Sequence, residues 1–132
     1  MPCALSSGLR VFSRLPILNH NTYSYKNAMG CDSLACKGAV HIEVEIPSAD
    51  TRCGTSNASA GSETTKPMDP PRRMHLFATH TQAWDSPREV ATRMRQFGEL
   101  RSFIASLELP RNEPVAVLGD LNSVSASGGG GT

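Results

Sequence analysis

The sequence predicts an α/β fold in which a strand, a long helix and a second strand follow one another. Two apolar runs, residues 74–79 and residues 114–118, have the composition of buried strands. Residues 86–107 between them repeat apolar side chains at spacings of three and four, as an amphipathic helix does. A strand–helix–strand crossover of this size places both strands in one sheet.

Three shorter segments are expected near the N-terminus. Leu9–Arg14 has the composition of a short strand, which Pro16 ends. Residues 17–29 are mixed and suggest an edge strand, and residues 30–37 suggest a loop.

Residues 39–46 give the clearest strand pattern. Valine and isoleucine alternate there with His41, Glu43 and Glu45. A period of two predicts one buried face and one solvent face, with His41 on the solvent face.

Residues 48–73 predict a disordered insertion. They are rich in Ser, Thr, Gly, Ala and Pro and hold almost no large apolar side chain, so they bury too little surface to offset their ordering entropy. Because doubling a loop costs only about 0.6 kcal/mol, the strands on either side are still expected to pair as a hairpin. One domain over residues 7–122 is therefore expected, followed by a flexible Gly/Ser tail at residues 123–132.

The long helix carries clear start and stop signals. Ser86 is the expected N-cap, Pro87 the first helical residue, and Glu89 completes a capping box with Ser86. Pro110 follows the helix. The expected apolar stripe consists of Val90, Met94, Phe97, Leu100 or Arg101, Ile104 and Leu107. The expected solvated face holds Arg93, Arg95 and Arg101.

Composition excludes several classes of protein. The chain has 132 residues and a net charge of +1, so it forms one domain at most and has no basic excess for nucleic acid. No run approaches the roughly 18 apolar residues of a membrane span. The four cysteines lack CxxC spacing, and the sequence leaves open whether they are free thiols or include an isolated disulfide.

The strand at residues 114–118 runs into Gly119, Asp120 and Asn122. Asp120 and Asn122 are two residues apart, so in extended backbone they point to the same side. A carboxylate and an amide on one face suit a phosphate ester with a hard cation. An ordinary turn is the alternative interpretation.

Other polar residues stand at element ends. His80 follows the strand at residues 74–79 and suits proton donation beside a phosphate, or a simple strand-end hydrogen bond. Gln82 suits orientation of His80 or a loop contact. Lys37 suits phosphate neutralisation or a solvated position, and Asp32 lies five residues before it.

Taken in order, these motifs resemble those of the endonuclease/exonuclease/phosphatase superfamily, also called deoxyribonuclease-I-like. Within it, the chain most resembles the neutral sphingomyelinases, C-type phosphodiesterases that act on sphingomyelin. The residues that carry the resemblance are Ser7-Gly-Leu-Arg-Val-Phe-Ser-Arg-Leu-Pro-Ile17, Asp32-x4-Lys37-Gly38, Thr79-His-Thr-Gln-Ala83 and Gly119-Asp-Leu-Asn122.

The resemblance implies a four-layered α/β/β/α sandwich with a Mg²⁺ site between its two sheets. Asp120 matches the Asp that supports the metal and the nucleophilic water, and Asn122 matches the Asn that holds the phosphate. His80 matches the histidine that contacts the phosphate and assists the leaving alkoxide. Asp32 and Lys37 match a pair proposed to switch the geometry of the active site.

The same resemblance implies a partial domain. The family's metal-binding Glu stands before the Ser7 region, and its Asp-His pair, which supplies the general base, stands near the C-terminus. Neither is found here, so the chain resembles the middle of a catalytic domain truncated at both ends. We expect little or no activity from this fragment alone.

The expected function is Mg²⁺-dependent hydrolysis of sphingomyelin to ceramide and phosphocholine. Alternatives are another phosphodiesterase, a phosphatase or a nuclease of the superfamily, or a non-catalytic truncated product. The expected partners are sphingomyelin or a related phospholipid at a membrane surface, without a transmembrane helix and without nucleic acid. A membrane-associated, cytoplasmic or secreted location is equally compatible with the sequence.

Overall fold

A computed structural model describes residues 7–47 and 72–123 of the chain. Four strands form one mixed sheet in the order β1-β2-β3-β4, and one long helix connects the last two strands. The elements are β1 (Ile17–Ser24), a 3-10 turn (Gly30–Ser33), β2 (Gly38–Ile46), β3 (Arg72–His80), α1 (Pro87–Ser106) and β4 (Val115–Asp120). The predicted mixed α/β class is confirmed.

The predicted hairpin around the insertion is confirmed, since β2 and β3 pair antiparallel from Ala39 opposite Thr79 to Ile46 opposite Arg72. Strand β3 begins at Arg72, inside the range that was expected to be disordered. The rest of the expected insertion and the Gly/Ser tail beyond Ser123 lie outside the described residues.

The predicted crossover is also confirmed. Strands β3 and β4 are parallel neighbours, and their last residues, His80 and Asp120, are paired in register. Helix α1 begins as predicted: the Ser86 hydroxyl accepts a hydrogen bond from the Glu89 amide, and the Glu89 carboxylate accepts one from the Ser86 amide. Both strands therefore end at the same edge of the sheet.

The hydrophobic core lies between α1 and one face of the sheet. Phe77 is fully buried at its centre and meets Phe103 of the helix edge to face, with 5.9 Å between the ring centroids. Tyr23 stacks on the other side of Phe103 at 5.3 Å. The Tyr25 and Thr79 hydroxyls are hydrogen-bonded at 2.6 Å, which satisfies both groups inside this core.

The predicted apolar stripe of the helix is partly wrong. Val90 and Met94 are exposed, whereas the buried positions are Thr92, Arg93, Gln96, Leu100 and Phe103. The last two turns pack on the sheet, but the first turns cover the polar loop that follows β3. Polar side chains are buried there because they hydrogen-bond the backbone of that loop. Arg93, expected on the solvated face, is one of them.

The expected solvent face of β2 is wrong as well. His41 is only 2% exposed because the side of β2 that carries Ala39 and His41 is the side that α1 covers. The His41 ring lies 4.7 Å from that of Phe77 and 5.2 Å from that of His75. The opposite side, with Ile42 and Val44, is also buried. Both faces of this central strand are therefore covered.

The expected strand at Leu9–Arg14 does not form. No residue of that segment has a strand partner within the described part of the chain, and Phe12 is 92% exposed. The ladder of β2 instead extends only to Pro16, whose carbonyl accepts a hydrogen bond from the Glu45 amide. Pairing thus starts at the proline that was expected to end a strand.

Among the described cysteines, Cys31 is a free, exposed thiol and Cys36 is disulfide-bonded to a partner outside the described residues. This favours the disulfide alternative over four free thiols. None of the helices in the described ranges is both long and apolar enough to cross a membrane.

Candidate active site

The candidate site lies at the edge of the sheet where β3 and β4 end. His80 and Asp120 are register neighbours there, and His80 Nε2 lies 3.9 Å from Asp120 Oδ2. Their side chains are 35% and 65% exposed, so both groups are open to solvent and to a ligand. The separation exceeds hydrogen-bond distance, which leaves both groups available to a third partner.

The turn after β4 holds Asp120 and Asn122 in one geometry. Asp120 Oδ1 accepts a hydrogen bond from the Asn122 backbone amide at 3.0 Å, and Asn122 has a φ of 45°. Asparagine tolerates this left-handed conformation better than most residues. The turn and the presentation of a carboxylate beside an amide are therefore compatible.

Gly119 is required by close approach to the neighbouring strand. Its φ is 132°, and a Cβ placed on it would stand 1.9 Å from the Thr79 carbonyl oxygen. Any side chain at this position would push β4 away from β3. Gly119 thereby keeps the two strand ends close together.

Thr81 joins the two strand ends and is completely buried. Its amide donates to the Asp120 carbonyl at 3.1 Å, and its hydroxyl donates to the Leu121 carbonyl at 2.7 Å. Its own carbonyl accepts from Asn122 Nδ2 at 3.0 Å. Three hydrogen bonds thus tie Thr81 to the turn that presents Asp120 and Asn122.

Lys37 is neither solvated nor directed at the cavity. It is 5% exposed, and its ammonium group donates to the Thr81 carbonyl at 2.8 Å and contacts Asp32 Oδ2 at the same distance. Asp32 Oδ2 also accepts from the Ala83 amide at 2.9 Å. The predicted Asp32–Lys37 pair therefore forms, beneath the loop after β3.

The environment of Asp32 favours its ionised form. Burial alone would raise the pKa of this carboxyl, but the hydrogen bonds from Lys37 and the Ala83 amide, with the positive charge of Lys37, outweigh burial. The pKa of Asp32 is consequently held below its ordinary value. The pair is a charged, hydrogen-bonded support at neutral pH.

An open cavity of about 510 Å³ adjoins this turn. Its lining residues are Trp84, Asp85, Gly119, Asp120, Leu121, Asn122 and Ser123. His80, Lys37 and Asp32 do not line it, so the cavity is formed by the turn after β4 and the loop after β3. The volume is in the range of small-molecule sites.

Arg93 fixes the loop that forms the other wall. Its guanidinium donates to the carbonyls of Gln82 and Trp84 at 3.0 and 2.8 Å, and it contacts Asp85 Oδ1 at 2.8 Å. Gln82 is buried: its side chain bonds the backbone of Met29, and its amide donates to Gln96. Of the two interpretations of Gln82, the loop contact is the one observed.

Sequence reasoning missed Thr81, Trp84 and Arg93. Thr81 lies between two motif residues and is bound mainly through its backbone, which leaves no pattern in the sequence. Arg93 stands at the spacing of Gln96, Leu100 and Phe103, so a stripe that included polar residues would have found it. Trp84 is the one tryptophan of the sequence and directly follows a motif, which was the available signal.

Mg²⁺ is compatible with part of this arrangement. Asp120 Oδ2 and Asn122 Oδ1 have no hydrogen-bond partner among the described residues, and both are oxygen ligands of the kind Mg²⁺ takes. Within residues 7–47 and 72–123, no group of three His, Cys, Asp or Glu side chains stands together to hold a metal. The described residues thus fit a Mg²⁺ that keeps water and substrate oxygens for most of its ligands.

No family model matches the chain. The chain is 44% identical over 59 residues to a sphingomyelinase C of Leptospira interrogans, a match that covers 42% of the chain and 11% of that relative. It is 29% identical over 127 residues to sphingomyelinase C 2 of the same species, covering 93% of the chain and 17% of the relative. The chain therefore spans less than a fifth of the length of these two curated relatives.

Solved structures agree with the sequence comparison. Sphingomyelinase C from Streptomyces griseocarneus superimposes with a TM-score of 0.62 at 26% identity, over 87% of this chain and 33% of that one. A beta toxin mutant of Staphylococcus aureus with bound magnesium ions superimposes with a TM-score of 0.63 at 24% identity, over 87% and 33%. The second likeness shows the fold alone.

Proposed function

We propose that this chain, a homologue of the bacterial sphingomyelinases C and of beta toxin, supplies part of the active site of a Mg²⁺-dependent phosphodiesterase. The reaction is hydrolysis of sphingomyelin to ceramide and phosphocholine. The observation that carries the proposal is the convergence of His80, Asp120 and Asn122 at the ends of two paired parallel strands.

In this proposal Asn122 holds the phosphate. One Nδ2 hydrogen is used on the Thr81 carbonyl, so the side chain is oriented and its second hydrogen is left for a phosphoryl oxygen. An amide suits this role because it adds no negative charge beside the phosphate. His80, open to solvent beside Asp120, donates a proton to the leaving alkoxide.

Asp120 and Asn122 would hold Mg²⁺ through their remaining oxygen atoms. When bound, the ion acts as a Lewis acid that neutralises developing charge on the phosphate. Asp120 also orients the attacking water, because its Oδ1 is fixed by the turn and its Oδ2 faces the open side.

Asp32 and Lys37 act as positioning residues rather than as ligands of the phosphate. Lys37 is buried on the Thr81 carbonyl, the same oxygen that orients Asn122. A movement of the Asp32–Lys37 pair would therefore be felt directly at Asn122, which supports the proposed switching role.

The domain arrangement is part of the same proposal. Residues 7–122 form a partial endonuclease/exonuclease/phosphatase domain, residues 48–71 an insertion between paired strands, and residues 123–132 a tail. The hairpin of β2 and β3 supports this, because it forms a continuous ladder on both sides of the insertion.

The test is Mg²⁺-dependent release of phosphocholine from sphingomyelin vesicles by the gene product that contains this chain, next to the 132-residue chain alone. Asn122→Ala is expected to lower kcat by a factor of about 100 or more, as loss of a charge-stabilising group does. Asn112→Ala, in the exposed turn before β4, is the matched control and should retain activity. Cleavage of nucleic acid or inositol phosphates in place of sphingomyelin would favour the alternative substrates.

A further inference from the structure

Trp84 is exposed beside the candidate site in a constrained conformation. Its residue surface is 73% exposed, and it lines the cavity that Asp120 and Asn122 also line. Its φ is 70°, a left-handed value that is uncommon for a bulky residue. Such backbone conformations persist where the surrounding structure imposes them, and they concentrate at functional sites.

Buried contacts impose this conformation. Arg93 donates to the Trp84 carbonyl at 2.8 Å and holds Asp85, the next residue, at the same distance. Asp32 accepts from the amide of Ala83, the preceding residue. The backbone on both sides of Trp84 is thus anchored while its indole ring stays open.

The charge of the cavity favours a cation near the indole ring. Its lining includes the carboxylates of Asp85 and Asp120 and no Lys, Arg or His side chain. Asp85 is paired with Arg93, which leaves Asp120 as the uncompensated charge of the lining. An indole face is the strongest aromatic partner for a quaternary ammonium group, which cannot donate a hydrogen bond.

We propose that Trp84 is the headgroup-recognition residue of the site and binds the quaternary ammonium of a phosphocholine group by a cation–π contact. This rests on the proposed function, because a phosphate held at Asn122 brings the headgroup into the shared cavity. Trp84 thereby selects choline over ethanolamine among phospholipid headgroups. Insertion of Trp84 into a bilayer and cover of Trp84 by another segment of the protein are the competing outcomes.

Fluorescence tests the contact directly, because Trp84 is the only tryptophan of the 132-residue chain. Phosphocholine, phosphoethanolamine and inorganic phosphate are titrated separately in the presence of Mg²⁺. We expect saturable quenching by phosphocholine, weaker quenching by phosphoethanolamine and little by phosphate. A wild-type chain whose emission does not respond to phosphocholine overturns the proposal.

Two variants separate recognition from folding. Trp84→Leu should weaken phosphocholine binding, measured by calorimetry, about two- to fivefold and leave phosphate binding unchanged, as expected for an exposed cation–π contact. Trp84→Phe keeps an aromatic face and should retain part of the preference. Met94→Leu, an exposed apolar position outside the cavity lining, is the matched control.

The outcomes distinguish this inference from the proposed function. Hydrolysis of sphingomyelin with an unchanged choline preference in Trp84→Leu overturns the role of Trp84 and leaves the proposed function standing. A blue shift with vesicles that lack choline headgroups, without a response to phosphocholine, indicates bilayer insertion instead. Emission shielded from acrylamide in the full gene product indicates cover by another segment and also overturns the proposal.

Discussion

Thr81 links the support of the site to its reactive side chains at the scale of single residues. Its carbonyl oxygen accepts from both Lys37 and Asn122, and its hydroxyl reaches Leu121. A buried carbonyl with two donors has both lone pairs used, so neither donor moves without leaving a buried group unsatisfied. The orientation of Asn122 therefore depends on residues that do not line the cavity.

The hydroxyl of Thr81 can be tested by itself. Thr81→Val removes the donor to the Leu121 carbonyl while keeping the shape, and we expect a loss of about 1 kcal/mol in the free energy of unfolding, measured in urea. We also expect a lower kcat with little change in KM for the gene product. Thr81→Ser, which restores the hydroxyl, should recover both, and equal behaviour of the two variants would contradict the role.

His41 belongs to a buried hydrogen-bonded chain at the opposite end of the sheet. With both rings neutral, Asn21 donates to His41 Nδ1, His41 Nε2 donates to His75 Nδ1, and His75 Nε2 donates to Glu113. A proton added to His41 turns an acceptor into a donor that faces the Asn21 amide group. Charged Glu43 and Arg73 line the same small cavity.

This chain predicts a pH dependence of stability. Burial lowers the pKa of His41 and the charge of His75 lowers it further, while Glu43 opposes them. Because the unfolded histidine titrates near pH 6.5, the stabilising contribution is complete above that pH and is lost as the pH falls below it. The free energy of unfolding of the chain should therefore be lower at pH 5.5 than at pH 7.5.

Variants assign this effect to His41. His41→Gln should reduce the pH dependence between pH 5.5 and 7.5, whereas His20→Gln, at an exposed position of β1, should leave it unchanged. Asp32 and Glu99, whose pKa values are also lowered, lose their contributions at a lower pH, below about 4. A slope that His41→Gln does not alter would exclude His41 as its source.

At the scale of elements, α1 acts as two half-helices with different partners. Its C-terminal half packs Leu100 and Phe103 on the sheet, and its N-terminal half presents Arg93 and Gln96 to the loop after β3. Between them, Glu99 accepts hydrogen bonds from the chain that follows β1. One helix thus sets the position of two loops relative to the sheet.

Arg93 tests the contact between helix and loop. Arg93→Lys keeps the charge but cannot reproduce a planar fork that reaches two carbonyls and a carboxylate, so we expect a loss of about 1–3 kcal/mol in the free energy of unfolding. Arg95→Lys, exposed on the same helix, should change it by less than about 0.5 kcal/mol. Similar urea midpoints for the two variants would refute the structural role of Arg93.

At the scale of the whole molecule, the edges of the sheet expose apolar side chains. Val115, Val117 and Leu118 of β4 are exposed, as are Ile17 and Leu18 of β1 at the other edge. Apolar edge strands are templates for pairing with another chain. The described residues therefore leave adhesive surface at both ends of the sheet.

We expect the 132-residue chain by itself to be marginally stable and to self-associate with rising concentration in sedimentation experiments. Val117→Lys places a charge on an edge strand and should reduce this association, whereas Val90→Lys, on the exposed side of α1, should have little effect. A monomer that melts cooperatively well above room temperature would contradict this expectation.

The sequence by itself determined the elements whose signals are local. The capping box of Ser86 and Glu89, the crossover from β3 to β4 and the pairing of β2 with β3 follow from spacing, caps and chain connectivity. The same patterns located His80 and Asp120 at strand ends, which is a matter of strand length. Their chemical roles remain proposals.

Only the tertiary structure decided which faces are buried and which polar groups meet. The burial of His41 and Arg93 depends on where α1 lies, and a hydrophobic period cannot show burial that hydrogen bonds compensate. The roles of Thr81 and Trp84 arise from backbone carbonyls and from a φ of 70°, neither of which a side-chain pattern records. Local patterns report propensity, whereas contacts between residues distant in sequence are set by packing.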